Sequence, residues 1–138
     1  MLYLVSVNTT ANPYKLIRYF IATIWLINGL FCKVLNLIPR HQNIVAEILG
    51  SENSRELTIL IGVSESCMAI WIVSGIWSRV NSFIQIFVIA SMNIMEFVLV
   101  PELLLWGRGN AIFACLLMLV IFVNDFHLKR EKIGATVC

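Results

Sequence analysis

Charge is scarce in this sequence. Asp, Glu, Lys and Arg make up 13% of its 138 residues, about half the share of an average soluble domain. The net charge is only +2, and the basic residues form no patch interleaved with aromatics. That excludes the electrostatic footprint of a nucleic-acid binder. Histidine occurs twice, at His41 and His127, with no ligand spacing between them; both read as polar residues of a membrane interface. The four cysteines, Cys32, Cys67, Cys115 and Cys138, form no C-x-x-C pair. Three of them fall inside apolar runs, where a thiol acts as a small hydrophobe. No metal centre is expected from these residues. The first twelve residues contain neither a basic leader nor a small-residue cleavage pattern, so no secretory signal is expected.

What the chain has in excess is apolar. Its hydrophobic fraction is 59% and its mean hydropathy is +0.87. A soluble chain of this size could not bury so much apolar surface, which places it among membrane proteins, as a single domain spanning 1–138. Four apolar runs are long enough to cross a bilayer, at about 17–38, 57–77, 80–100 and 110–126, followed by a basic tail at 127–138. Asn12 followed by Pro13 reads as a helix start, and Pro39 ends the first run. Between the first two runs, Ile44, Val45, Ile48 and Leu49 recur at helical spacing among polar residues, and Gly50 follows them. This predicts a short amphipathic helix lying on the membrane surface. Ser51 or Ser54 can cap the second span. Ser78-Arg79 is read as a very short turn between spans two and three. The expected fold is all-α: a membrane-embedded four-helix up-down bundle with one outer interfacial helix.

Lys15, Arg18, Arg79, Lys129, Arg130 and Lys132 fall on the side of the termini, against Arg40, Arg55 and Arg108 opposite. The positive-inside rule then puts both termini in the cytoplasm. An Asn8-Thr9-Thr10 glycosylation sequon would lie on that side and is read as incidental. Trp77 and Trp106 suit the two interfacial belts, whereas Trp25 and Trp71 are expected deeper in the bundle.

Polar residues inside the spans are unevenly distributed. Counted at about 1.5 Å per residue from the outer ends, Lys33 and Glu96 lie roughly 6–8 Å deep, Glu65 and Asn93 about 10–12 Å, and Asn28 near the midplane. Asn110 opens the fourth span. The inner half holds Gln85, Ser74 and little else. A lysine in hydrocarbon costs about 2.5–3.5 kcal/mol on insertion scales and usually faces a partner or a wet cavity. The smallest consistent arrangement is a cluster of Lys33 with Glu65 or Glu96, hydrogen-bonded by Asn28, Asn93 and Asn110. In the second span, Thr58, Gly62, Glu65, Ser66 and Ala69 share one face. Gly62-x-x-x-Ser66 there is the small-residue spacing that lets membrane helices approach closely.

The string Arg18…Trp25-x-x-Asn28-Gly29-x-x-x-Lys33…Pro39-x-His41, then Gly62-x-x-Glu65, Asn93-x-x-Glu96 and Pro101-Glu102-x-Leu104, resembles the DoxX-like family over about 14–124. The resemblance implies a four-helix bundle in the bacterial cytoplasmic (inner) membrane. The wider superfamily includes a subunit of a membrane thiosulfate:quinone oxidoreductase, partners in thiol-stress complexes, and membrane domains attached to NAD-binding proteins. This chain lacks a thiosulfate-handling cysteine motif, so that activity does not transfer directly.

The function expected from the sequence is an accessory subunit of a membrane redox system. Asn28, Lys33, Glu65, Asn93, Glu96 and Asn110 would bind a quinone-like head group, with a redox subunit or soluble NAD-binding protein as partner. Two alternatives stand beside it: an assembly protein whose polar cluster only fixes helix register, and a small-solute or proton transporter acting as an oligomer. No residue is assigned to catalysis.

Overall fold

A computed structural model describes residues 12–104 and 106–137. The lead before Asn12, with its sequon, and Cys138 lie outside the described residues. Within them every regular element is helical, with α1 at Pro13–Leu26, α2 at Arg40–Leu49, α3 at Ser54–Ser74, α4 at Ser78–Leu99, α5 at Asn110–Val123 and α6 at Lys129–Val137. Two π-helical segments join these: Ile27–Val34 prolongs α1, and Asn124–Leu128 carries α5 into α6. Four of the resulting spans are long and apolar enough to cross a membrane: Pro13–Val34, Ser54–Ser74, Ser78–Leu99 and Gly107–Glu131. Their outward faces carry exposed side chains such as Leu16, Phe20, Ile70, Phe87, Val98 and Ile112, which only hydrocarbon would solvate without penalty.

The helix starts follow local chemistry. Asn12 caps α1 as its residue type predicts, its Oδ1 accepting from the Tyr14 backbone N–H at 3.1 Å with Pro13 at the first position. Gly50, at φ 101°, stops α2. Other boundaries shift from the sequence reading. The first span ends at Val34 rather than Ile38, because Asn36 turns into the left-handed region at φ 53°. Neither serine caps the second span with its side chain: α3 begins at Ser54 itself, whose carbonyl accepts from the Thr58 hydroxyl at 2.6 Å. The turn between spans two and three is Gly75–Trp77, and Ser78 already belongs to α4. Gly75 and Trp77 both take positive φ there, 69° and 50°. The basic tail is helical, continuing the fourth span, and Lys129 donates to the Ser78 hydroxyl.

The spans pair off. Arg18 lies against Gly75 and Arg55 against Lys33, so α1 runs antiparallel to α3. Asn110 meets Asn93, and Lys129 meets Ser78, so α5 runs antiparallel to α4. The two pairs join around Ile21, Ala22, Trp25, Ala69, Ile72, Ile89, Ala114 and Ile121, the buried apolar core. Towards the end that carries α2, α4 stands away from α1 and α3 and leaves space between the pairs.

The opposite half is more polar than its sequence suggests. Asn81, Ser82, Gln85, Asn124 and Asp125 are all buried there. The Trp25 indole N–H donates to Gln85 Oε1 at 2.9 Å, and Gln85 Nε2 donates to Asn81 Oδ1 at 2.5 Å. Asn81 and Ser82 stand one helical turn or less from Gln85 on α4, and Asn124 and Asp125 lie at the extreme end of the fourth run. Both groups were hidden from a count of isolated polar residues in mid-span. Trp71 is only half-buried and donates to the Ile76 carbonyl at 2.7 Å, so it belongs to the turn rather than the core.

Candidate functional site

The site is built on one close crossing. Gly29, in the π-helical part of the first span, faces Gly62 of α3. A Cβ on Gly29 would stand 2.5 Å from the Gly62 carbonyl oxygen and 2.8 Å from Glu65 Cβ. A Cβ on Gly62 would stand 2.6 Å from the Gly29 carbonyl oxygen and 2.9 Å from Lys33 Cβ. Only hydrogen fits on both backbones, and the approach brings the next inward residues, Lys33 and Glu65, side by side. They form a buried ion pair, with Lys33 Nζ donating to Glu65 Oε1. Lys33 is 5% exposed and Glu65 6%, so protein encloses most of the pair.

Of the two carboxylates open as partners, Glu65 takes the lysine. Glu96, on α4, makes no hydrogen bond or ion pair with the described residues, although Lys33, Arg40 and Glu65 are its electrostatic neighbours. The asparagines also depart from the expected network. Asn28 Nδ2 donates to the Ile24 carbonyl at 3.0 Å and Asn93 Nδ2 to the Ile89 carbonyl at 2.9 Å, each four residues back on its own helix. Short amide side chains reach their own backbone more easily than a group across a gap. Asn110 Nδ2 donates to Asn93 Oδ1 at 3.2 Å and ties α5 to α4. None of the three bonds to Lys33 or Glu65.

What gathers the six candidates is a cavity. Asn28, Lys33, Glu65, Asn93, Glu96 and Asn110 all line one space of about 430 Å³ between α1, α4 and α5. Arg40 and His41 of α2 close it at one end. A second space of about 410 Å³ lies between α2, α3 and α4, and its wall is largely apolar, with Leu60, Ile61, Met68 and Met95 among its residues. Lys33, Glu65, Glu96, Trp25, His41 and Met92 face both spaces.

Two buried polar atoms in the lining of the polar space have no hydrogen-bond partner among the described residues: Glu65 Oε2, an acceptor, and Arg40 Nε, a donor. Buried polar groups are nearly always hydrogen-bonded, so each such orphan has room for a water or another polar group beside it. His41 shares the same surroundings. Burial first, then the charges of Lys33 and Arg40, hold its pKa down at about 4, so its imidazole is neutral near pH 7 and offers one donor and one acceptor.

Sequence reading missed three members of this site. Arg40 and His41 look like surface residues of an interfacial helix, yet they follow Pro39 directly, which fixes them over the end of the first span. Arg55 donates from Nη1 to the Lys33 carbonyl at 2.8 Å and from Nη2 to the Val34 carbonyl at 2.6 Å. It thereby satisfies the open carbonyls at the end of the π-helical segment. Its signal was a basic residue just before the second span, at the level where the first span ends.

Comparison with curated proteins and with solved structures returns no match for this chain. The profile of the DoxX-like family, by contrast, matches residues 22–123. That stretch runs from the core of the first span through the last turn of α5 and contains all six cavity candidates. With four apolar spans and that match together, this is an integral membrane protein, and the chain belongs to the DoxX-like family.

Proposed function

We propose that this protein holds a quinone-like head group in the cavity between α1, α4 and α5, as an accessory subunit of a membrane redox system. The observation that carries the reading is the orphaned Glu65 Oε2, buried beside the Lys33 ammonium on the cavity wall. An ammonium donates to a carbonyl oxygen, and a free carboxylate oxygen accepts from a hydroxyl. The pair therefore offers complementary contacts to the oxidised and reduced forms of such a head group. The volume, about 430 Å³, falls in the range of small-molecule sites. Glu96, half-buried and without a hydrogen bond, is the next acceptor along the wall.

The reading also places the protein in a bacterial inner membrane with both termini cytoplasmic. The excess of Lys and Arg at the end where α1 begins and α6 lies supports this orientation. A redox subunit or a soluble NAD-binding protein would then be met at the cytoplasmic face.

The test is extraction in mild detergent followed by mass analysis of bound quinone, for the wild type and Lys33→Met. Quinone at near-stoichiometric level in the wild type, and its loss in the variant, is the expected result. Full retention by Lys33→Met sinks the reading. A second reading has its own observation, the Gly29–Gly62 crossing locked by Lys33 and Glu65, which would suit a purely architectural pair. Under that reading no quinone raises the thermal stability of the wild type.

A further inference from the structure

The apolar space between α2, α3 and α4 is not needed to hold a head group, yet it abuts the polar cavity along a shared wall. Lys33, Glu65, Glu96 and Trp25 stand at that wall, and His41 and Ile44 of α2 roof both spaces. The polar space carries Asn28, Asn93, Asn110 and Arg40; the apolar one carries Leu60, Ile61, Met68, Val88 and Met95. Leu49, Leu60 and Met95, which rim the apolar space, are 60%, 62% and 45% exposed. Leu60 and Met95 lie on outward faces of two spans and Leu49 ends α2 beside them, so this chamber is open sideways to the bilayer. Methionine side chains there adapt to irregular apolar shapes.

We infer that the two spaces form one site for a membrane amphiphile. Its polar head sits among the asparagines, Arg40 and the Lys33–Glu65 pair, and its hydrocarbon tail passes Trp25 and Met92 into the chamber between α2, α3 and α4. The side chains that the two spaces share carry this, together with the gathering of amide and guanidinium groups on one side of them only. The ligand class is a small polar ring or head on a flexible alkyl or isoprenoid chain, entering laterally from lipid. The inference deepens the head-group reading and rests on it only for the identity of the head.

Three probes separate the outcomes in detergent solution: a tail-less benzoquinone, the same ring with a ten-carbon chain, and a ten-carbon alcohol. Tails concentrate ligands in micelles whatever the protein does, so each affinity is compared between wild type and variants, where partitioning cancels. Ile61→Trp fills the apolar chamber from α3, and Met95→Trp fills it from α4, so that misfolding of one leaves the other. Loss of a binding mode through overfilling corresponds to about tenfold or more in affinity. The expected result is that both variants weaken the tailed quinone by about tenfold while the tail-less ring changes by less than about twofold. Equal weakening of both quinones, or none for the tailed one, overturns the two-chamber site. Should neither quinone bind while the alcohol binds and is weakened by both substitutions, the tail chamber stands and the quinone reading falls. Binding of none of the three overturns both.

Discussion

Gly29 and Gly62 meet so closely that a methyl group on either would enter the other's carbonyl oxygen, at 2.5 and 2.6 Å. The pair is therefore the point on which the first span and α3 are registered, and it sets Lys33 opposite Glu65. Gly62→Ala should cost about 1–3 kcal/mol, because the atom in the way is backbone and cannot rotate aside. Gly134→Ala is the reference, since a Cβ there meets nothing within 4 Å. Thermal unfolding in detergent should lower the midpoint for Gly62→Ala and leave Gly134→Ala unchanged or slightly raised. Equal midpoints would show that the two helices separate without penalty.

The Lys33–Glu65 pair predicts strong coupling. Lys33→Met alone leaves a carboxylate buried without its cation, a change that typically costs about 3–5 kcal/mol. Replacing both partners with apolar residues of similar size removes the buried charge, and such replacements are often neutral. The double variant Lys33→Met/Glu65→Leu should therefore be more stable than Lys33→Met alone. A double-mutant cycle by thermal or denaturant unfolding measures this. Additive losses would mean that the two side chains do not act as a pair.

The spans, the interfacial helix and the membership of the polar cavity were legible in the sequence, because each rests on periodicity or on charges placed where hydrocarbon penalises them. Lys33, Glu65 and Glu96 stand out for that reason alone. The partner of Lys33 was not legible. Depth along a helix is countable, but the choice between Glu65 and Glu96 depends on how close each helix stands to the first span. The two glycines decide that in favour of α3, while α4 diverges. The asparagines line the polar cavity, but their hydrogen bonds were not legible, since a side chain that satisfies itself on its own helix leaves no trace in spacing. The π-helical segment at Ile27–Val34 also has no local residue signature.

His41 predicts a pH dependence of defined sign. Its pKa is lowered in the fold from 6.5 to about 4, by burial and then by Lys33 and Arg40. The unfolded chain thus binds a proton at higher pH than the native one does. The stability contribution is complete above about pH 6.5 and declines as pH falls towards 4. Other ionisable groups, Glu65 and Glu96 among them, line the same cavities, so the informative quantity is the difference between wild type and His41→Gln. That difference should favour wild type near pH 7.5 and shrink steadily between pH 6.5 and 4. A difference that is constant with pH would show that His41 is as free to protonate in the fold as outside it.

Arg55 predicts a local effect rather than a global one. Its guanidinium spans the Lys33 and Val34 carbonyls at 2.8 and 2.6 Å, two acceptors that the helix itself cannot satisfy at its end. A lysine offers a single point charge and cannot fork across both, so Arg55→Lys should act nearly like Arg55→Met. Hydrogen bonds from a charged donor are worth about 1.5–3 kcal/mol each, which bounds the loss. The effect should concentrate where the helix unwinds. The Leu35 N–H bonds the Leu30 carbonyl at 2.9 Å and the Leu37 N–H bonds the Phe31 carbonyl at 3.2 Å. Both amides should exchange faster with deuterium in either variant, whereas amides of α5 should keep their wild-type rates. Because Lys33 hangs from this same turn, ligand affinity should fall in step with the exchange at Leu35 and Leu37. Unchanged exchange at those two amides would remove Arg55 from the architecture of the site.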